Sequence, residues 1–258
     1  MTSPTSEPIL NDALGLVAEA EKREIPLRLT GGAAIEFHNH TNRLNVPERE
    51  KNGLKDVDMV TYRAKQVEVN DLFIDAGYTA DRYVMAYFGE ERFMFHNPER
   101  KYTVDIFFEK LRFNHQINLR PEGAPARIEL DFPTLTIADL VLSKLQIHTL
   151  EEKDRRDLQI LILEHPLTDV DATESINVSR IASVLADDWG FWFDAKSNLN
   201  RLLRSDPSVE ENQFNELKIK IEKINTIIDS EPKSRNWEMR KLVGTRKKWW
   251  DEVEELVR

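Results

Sequence analysis

The sequence contains no cysteine among its 258 residues. Disulfides, thiolate zinc sites, iron–sulfur clusters and cysteine nucleophiles are therefore excluded. It also has no apolar run approaching 18 residues, and it begins with the polar stretch MTSPTSEP. The lack of a long apolar run argues against a membrane-spanning helix. The polar start argues against a signal peptide. We expect a soluble, cytoplasmic protein with no membrane partner.

An excess of positive charge is also missing. Lys and Arg number 36 against 46 Asp and Glu, which gives a formal net charge of −10. This balance argues against a protein that coats nucleic acid through bulk charge, but it leaves room for a local basic patch. Apolar residues make up 40% of the chain, which is enough for a folded core.

The hydrophobic pattern changes along the chain. The N-terminal half mixes helical and strand periods, whereas every strong segment from Thr136 onward has a helical period. We predict an α+β protein, with an α/β domain over residues 1–135 and a helical domain over residues 136–258. Within the irregular stretch 109–135 we predict a single strand at Ile128–Phe132. A final helix is predicted near Trp249–Leu256.

Three carboxylates stand out in the first half. Asp56 and Asp58 open a predicted strand, and Asp105 lies inside another, very apolar one. Residues two apart in a strand point to the same side, about 7 Å apart at roughly 3.4 Å per residue. Three carboxylates brought together suit Mg²⁺, which prefers hard oxygen ligands. Taken alone, Asp56 and Asp58 also fit a strand edge with solvated acids.

A glycine pair precedes these acids. Gly31 and Gly32 follow a predicted strand and open a predicted helix. Backbone amides at such a turn form a site for phosphate. A lone glycine pair is weak evidence, but a glycine pair followed by D-x-D and a third strand aspartate is a much stronger pattern.

This order of motifs resembles the nucleotidyltransferase superfamily that includes DNA polymerase β. The match consists of the glycine pair and the three aspartates, Gly31, Gly32, Asp56, Asp58 and Asp105. The later segments Asp139–Leu145 and Glu152–Leu158 look similar to predicted prokaryotic nucleotidyltransferases related to abortive-infection-type toxin transferases. The resemblance implies a mixed sheet with flanking helices, followed by an all-α region.

The resemblance also implies a chemistry. Such enzymes use two Mg²⁺ ions to transfer a nucleoside monophosphate from an NTP to an acceptor hydroxyl, with release of pyrophosphate. Asp56, Asp58 and Asp105 would then be the catalytic, metal-binding residues. The amides of Gly31 and Gly32 would contact the triphosphate.

The helical half supplies further candidates for nucleotide binding. The resemblance gives Lys144 the role of a point charge on the triphosphate, and it adds Asp154 and Asp157, which share one helix face. The alternatives are a solvated lysine and an acidic first turn that suits the helix dipole.

A basic and aromatic stretch lies at residues 233–250. Seven basic residues and one acid stand between Lys233 and Lys248, interleaved with Trp237, Trp249 and Trp250. This composition is typical of single-stranded nucleic-acid binding, which makes RNA a candidate acceptor. The alternative is an amphipathic helix that buries its tryptophans.

Three functional hypotheses follow from the sequence. The first is a Mg²⁺-dependent nucleotidyltransferase with an NTP substrate. The second is a toxin-type transferase of the same chemistry that acts on tRNA, as in a toxin–antitoxin pair. The third is a non-catalytic nucleotide-binding or interaction protein, which the intact set of three aspartates makes less favoured.

Overall fold

A computed structural model describes residues 6–39, 44, 53–99, 101–123, 125–204 and 209–252. The chain divides into two compact units. Unit 1 comprises Met1–Leu111 and Asn118–Thr136, and unit 2 comprises Arg112–Ile117 and Ile137–Arg258. Within the described residues, no helix is both long and apolar enough to cross a membrane.

Unit 1 contains a five-stranded mixed sheet. Its helices are α1 (Glu7–Lys22), α2 (Gly31–Phe37), α3 (Gln66–Asp75) and α4 (Arg82–Phe88). Its strands are β1 (Arg28–Thr30), β2 (Asp56–Thr61), β3 (Thr79–Ala80), β4 (Arg92–His96) and β5 (Thr103–Phe108). The strand order is β1-β2-β5-β4-β3, with β2 and β5 parallel and the other pairs antiparallel. The sheet is therefore mixed, as predicted.

One face of this sheet is the core of unit 1. Leu29, Met59, Ile106 and Phe95 point to this face and are fully buried. Phe73 of α3 stacks on Phe95 with ring centroids 4.5 Å apart. Residues alternate between the two faces of a strand, so the residues between these apolar ones point to the opposite face. The three aspartates are on that opposite face.

The stretch after β5 differs from the prediction. Two short strands, β6 (Lys110–Arg112) and β7 (Gln116–Asn118), form a hairpin whose tip, residues 112–117, belongs to unit 2. The predicted strand at Ile128–Phe132 is wrong, because this segment forms turns. The amide of Leu130 bonds to the carbonyl of Arg127, and the amide of Phe132 bonds to the Asp131 carboxylate.

Unit 2 is mainly helical, as predicted for the C-terminal half. Its helices are α5 (Ile137–Leu145), α6 (Glu152–Glu164), α7 (Val178–Asp187), α8 (Trp189–Leu202), α9 (Glu211–Ser230) and α10 (Arg235–Val243), with a two-stranded pair β8 (Leu167–Thr168) and β9 (Ile176–Asn177). Side-chain caps open three of the helices, from Asn177, Asp188 and Ser234. At the end of α6, the Lys220 ammonium donates hydrogen bonds to the carbonyls of Ile162, Leu163 and His165.

The helix predicted near Trp249–Leu256 is wrong for the part that the structure describes. Residues 249–252 are not helical, and residues 253–256 lie outside the described residues. The segment is held instead by the hairpin tip: the Asp251 amide donates to the Asn114 carbonyl, and the Asn114 side chain donates to the Asp251 carbonyl. The two tryptophans then pack into unit 2 and fix the segment.

Candidate functional site

The glycine turn of unit 1 lies directly beside an aspartate. Gly31 follows β1 and has a φ of +60°, a conformation that L side chains rarely adopt. A Cβ atom on Gly31 would lie 2.1 Å from Oδ2 of Asp58. The backbone and the carboxylate therefore approach each other at a distance that only glycine permits.

The sheet register aligns the acids. Thr30 pairs with Asp58 across β1 and β2, and Asp58 pairs with Asp105 across β2 and β5. Paired residues point to the same face, and Asp56 joins them two residues before Asp58. The structure thus brings Asp56, Asp58 and Asp105 to one face of two neighbouring strands, next to Gly31. Asp105 is buried at 2% exposure, and the other two are partly exposed.

The three carboxylates have the donor chemistry of a magnesium site, because all their donors are the hard oxygens that Mg²⁺ prefers. The close approach of Gly31 to Oδ2 of Asp58 places backbone amides beside these oxygens. Among the described residues, however, these carboxylate oxygens do not form a trio whose members all lie within 4.8 Å of one another. Side-chain rotation is therefore required before all three could ligate one ion.

A cation accompanies the acids on this face. Nη1 of Arg92, on β4, lies 3.8 Å from Oδ1 of Asp105. No local sequence pattern marks Arg92, which lies four positions before His96. The only available signal was its place on the strand that forms a hairpin with the strand of Asp105.

The candidates in unit 2 bind one another. The ammonium of Lys144 lies 2.8 Å from Oδ1 of Asp154 and 2.9 Å from Oδ2 of Asp157. The lysine side chain is 11% exposed and Asp157 is fully buried. This trio links α5 to α6, and its two carboxylates already compensate the positive charge that the sequence analysis assigned to a triphosphate.

The tryptophans of the basic stretch 233–250 are packed against unit 2. Trp237 is buried at 4% exposure, and Trp192 meets its ring edge to face at 5.2 Å. Trp249 packs against Phe193 at 5.0 Å, and Trp250 stacks on His148 at 3.7 Å. The geometry favours packing over base stacking for these rings. The basic residues Arg235, Lys241, Arg246, Lys247 and Lys248 are exposed.

Unit 2 contains a buried polar cluster that no sequence pattern marks. The Asp194 carboxylate, 3% exposed, is hydrogen-bonded to Nε2 of His115 at 2.8 Å and to Nδ1 of His148 at 3.0 Å. It also accepts a hydrogen bond from the indole of Trp249 at 3.0 Å. These residues come from four distant parts of the chain, so no spacing could have identified them. The cluster ties the C-terminal segment to α8.

The comparisons with known proteins are sparse. No family model matches the sequence, and no curated protein matches it either. Among solved structures, the chain is similar to a STING-associated CdnE c-di-GMP synthase from Capnocytophaga granulosa. The two share 10% sequence identity over 85% of this chain and 79% of the other, with a TM-score of 0.27. A likeness at this level establishes neither a shared fold nor a shared activity.

Proposed function

We propose that the protein is a Mg²⁺-dependent nucleotidyltransferase that moves a nucleoside monophosphate from an NTP to an acceptor hydroxyl. The observation that carries this proposal is the register of unit 1, which aligns Thr30, Asp58 and Asp105 across three strands. Asp56 shares their face, and Gly31 adjoins Asp58. Like charges gathered on one face repel one another, so a divalent cation bound among them would lower this repulsion.

Each residue has a defined part in the proposed reaction. Mg²⁺ supplies Lewis-acid stabilisation of the phosphate oxygens when it is bound. Asp56, Asp58 and Asp105 would hold the Mg²⁺ ions, which would neutralise charge on the phosphates. The amides of Gly31 and Gly32 donate to phosphate oxygens. The acceptor oxygen forms a bond to the α-phosphorus, the bond from that phosphorus to the pyrophosphate oxygen breaks, and Asp105 helps to remove the acceptor proton.

Lys144, Asp154 and Asp157 have a less direct part in this proposal. Lys144 could act on a triphosphate only by giving up at least one of its two carboxylate partners. Their ion pairs support a structural role in unit 2 more strongly than a nucleotide-binding role.

Transfer of label provides the test. The protein is incubated with each α-³²P-labelled NTP and Mg²⁺, together with total RNA, purified tRNA, protein extract or small-molecule extract. We expect label on one acceptor class. Asp58→Asn should reduce transfer by more than about 100-fold, because even partners outside the first coordination shell are worth up to roughly that factor. The matched control is Asp71→Asn, an exposed carboxylate on α3, which should retain activity.

The alternatives give different outcomes. Label on tRNA would identify a toxin-type transferase, which the exposed basic residues between 235 and 248 favour. Binding without transfer would identify a non-catalytic nucleotide-binding protein. In that case NTP with Mg²⁺ should still raise the stability by about 2.7 kcal/mol at a hundredfold excess over Kd. No stabilisation by any NTP would contradict nucleotide binding of either kind.

A further inference from the structure

Arg92 occupies the acid face of the sheet in unit 1. Met94 pairs with Asp105 across β4 and β5. Arg92 precedes Met94 by two residues, so its side chain points to the same face as Asp105. It is therefore a diagonal neighbour of the aspartate on the central strand of the sheet.

The guanidinium of Arg92 is held in place but is not saturated. Its contacts are an ion pair with Asp105 at 3.8 Å, which is too long for a hydrogen bond, and the ring of Phe88 at 5.8 Å. No described residue accepts a hydrogen bond from this guanidinium. The side chain is 22% exposed. The charge of Asp105 and the ring of Phe88 thus position the guanidinium of Arg92. Its N–H donors can still bind a ligand.

A second arginine on this face, Arg28, differs from Arg92 because its guanidinium is hydrogen-bonded within the protein. Arg28 precedes Thr30 by two residues and shares its face. Its guanidinium donates hydrogen bonds to Glu21 at 3.0 Å and to the carbonyl of Asp131 at 2.7 Å, and its side chain is 6% exposed. Arg28 is therefore committed to the fold. Arg92 retains donors for a ligand.

We infer that Arg92 binds a phosphate group of the nucleotide, an inference that rests on the proposed function. A planar guanidinium with open donors matches phosphate oxygens in a two-point geometry. Its ion pair with Asp105 places it beside an acid that is proposed to hold the metal ion, and hence beside the phosphates that the ion would carry. Arg92 supplies the positive charge that the sequence analysis sought in Lys144.

This role predicts effects of opposite sign on two ligands. Without nucleotide, the positive charge of Arg92 lies 3.8 Å from Asp105 and opposes the binding of a cation there. With nucleotide, the same charge attracts phosphate. Arg92→Gln should therefore leave Mn²⁺ affinity equal or higher, and weaken the binding of Mg²⁺-tripolyphosphate and of Mg²⁺-NTP by about 10- to 100-fold. If Arg92 only supported the fold, its substitution would weaken the binding of both Mn²⁺ and Mg²⁺-tripolyphosphate.

The experiment measures two affinities on the full chain. Mn²⁺ binding is followed by electron paramagnetic resonance, and binding of Mg²⁺-tripolyphosphate by calorimetry, for wild type, Arg92→Gln and Arg92→Lys. Arg92→Lys should lose less affinity than Arg92→Gln, since lysine keeps the charge but not the fork. The control is Arg63→Gln, an exposed arginine paired with Glu90, which should change neither affinity. If Arg92→Gln does not fold, the comparison of Arg92→Lys with wild type provides the test.

The outcomes separate this inference from the proposed function. If wild type binds tripolyphosphate in a manner that depends on Asp58, and both Arg92 variants bind it equally well, the role of Arg92 is overturned and the nucleotidyltransferase proposal stands. A loss of Mn²⁺ affinity in both variants would also overturn it, in favour of a structural role. If wild type binds neither ligand, the proposed function itself fails.

Discussion

The two units treat their buried carboxylates differently. In unit 2, each of three buried aspartates has a cation or an imidazole at hydrogen-bonding distance: Arg180 at 3.2 Å from Asp139, Lys144 at 2.9 Å from Asp157 and His115 at 2.8 Å from Asp194. In unit 1, Asp56, Asp58 and Asp105 are instead gathered on one face of two neighbouring strands, where Arg92 forms an ion pair with Asp105 at 3.8 Å.

The difference shows that burial of an acid does not by itself mark a functional site. A buried carboxylate that meets a partner on another element, as Asp139 meets Arg180, is satisfied within the fold and needs no ligand to explain it. Several carboxylates on one sheet face increase their mutual repulsion, and their grouping has no packing benefit. The second arrangement is the one on which the proposed metal-binding function rests. Three changes would break or sharpen this contrast.

The largest effect on stability is expected for Lys144→Ala in unit 2. The substitution leaves the fully buried Asp157 without its ammonium partner, which should cost about 3–5 kcal/mol of unfolding free energy. Urea denaturation measures the loss. The control is Lys196→Ala, a lysine of α8 whose partner Asp229 is 57% exposed, for which less than about 1 kcal/mol is expected.

The outcome also decides the role of Lys144. Equal stability of the two lysine variants would contradict the structural role. A stable Lys144→Ala protein with weakened NTP binding would support the nucleotide-binding role that the sequence predicted.

An intermediate effect is expected for Gly31→Ala in unit 1. The left-handed backbone costs an alanine about 1–2 kcal/mol of stability. The alanine Cβ would lie 2.1 Å from Oδ2 of Asp58, so the carboxylate would have to move. Both stability and Mn²⁺ affinity should therefore fall, as measured by thermal unfolding and by a metal titration. The control is Gly15→Ala on α1, where a Cβ meets no atom within 4 Å. That change should stabilise the protein by roughly 0.5–1 kcal/mol. Unchanged metal affinity in Gly31→Ala would show that the glycine turn does not affect metal binding by the aspartates.

The smallest effect at neutral pH concerns Tyr62, which directly follows β2. Burial, followed by the negative charge of Glu129, raises the pKa of this phenol to about 12. The native state then holds the phenolic proton after the unfolded chain has released it near pH 10. Stability should therefore be independent of this group below about pH 10 and fall as the pH rises towards about 12.

Absorbance of tyrosinate measures this shift directly. The difference between wild type and Tyr62→Phe gives the titration of Tyr62 alone, and Glu129→Gln should lower its midpoint because the nearby negative charge is removed. A midpoint at the ordinary value for tyrosine in the wild type would show that neither burial nor the charge of Glu129 raises the pKa of this phenol.

Much of the local architecture could be predicted from the sequence. Alternation along a strand is a local property, so it alone placed Asp56 and Asp58 on one face. The change from mixed to helical periodicity near Thr136 predicted a sheet-containing part followed by a helical part, and both are present. The glycine pair predicted a turn, and Gly31 indeed has a positive φ that favours glycine at that position.

Only the tertiary structure decided which distant residues meet. The pairing of Asp58 with Asp105, the approach of Arg92 and the cluster around Asp194 depend on strand order and on helix packing, which leave no fixed spacing in the chain. The same reason accounts for the wrong helix at Trp249, where local periodicity was overridden by hydrogen bonds to Asn114, more than a hundred residues away. Local preferences of the chain are worth fractions of a kcal/mol per residue, and long-range pairing and burial outweigh them wherever the two conflict.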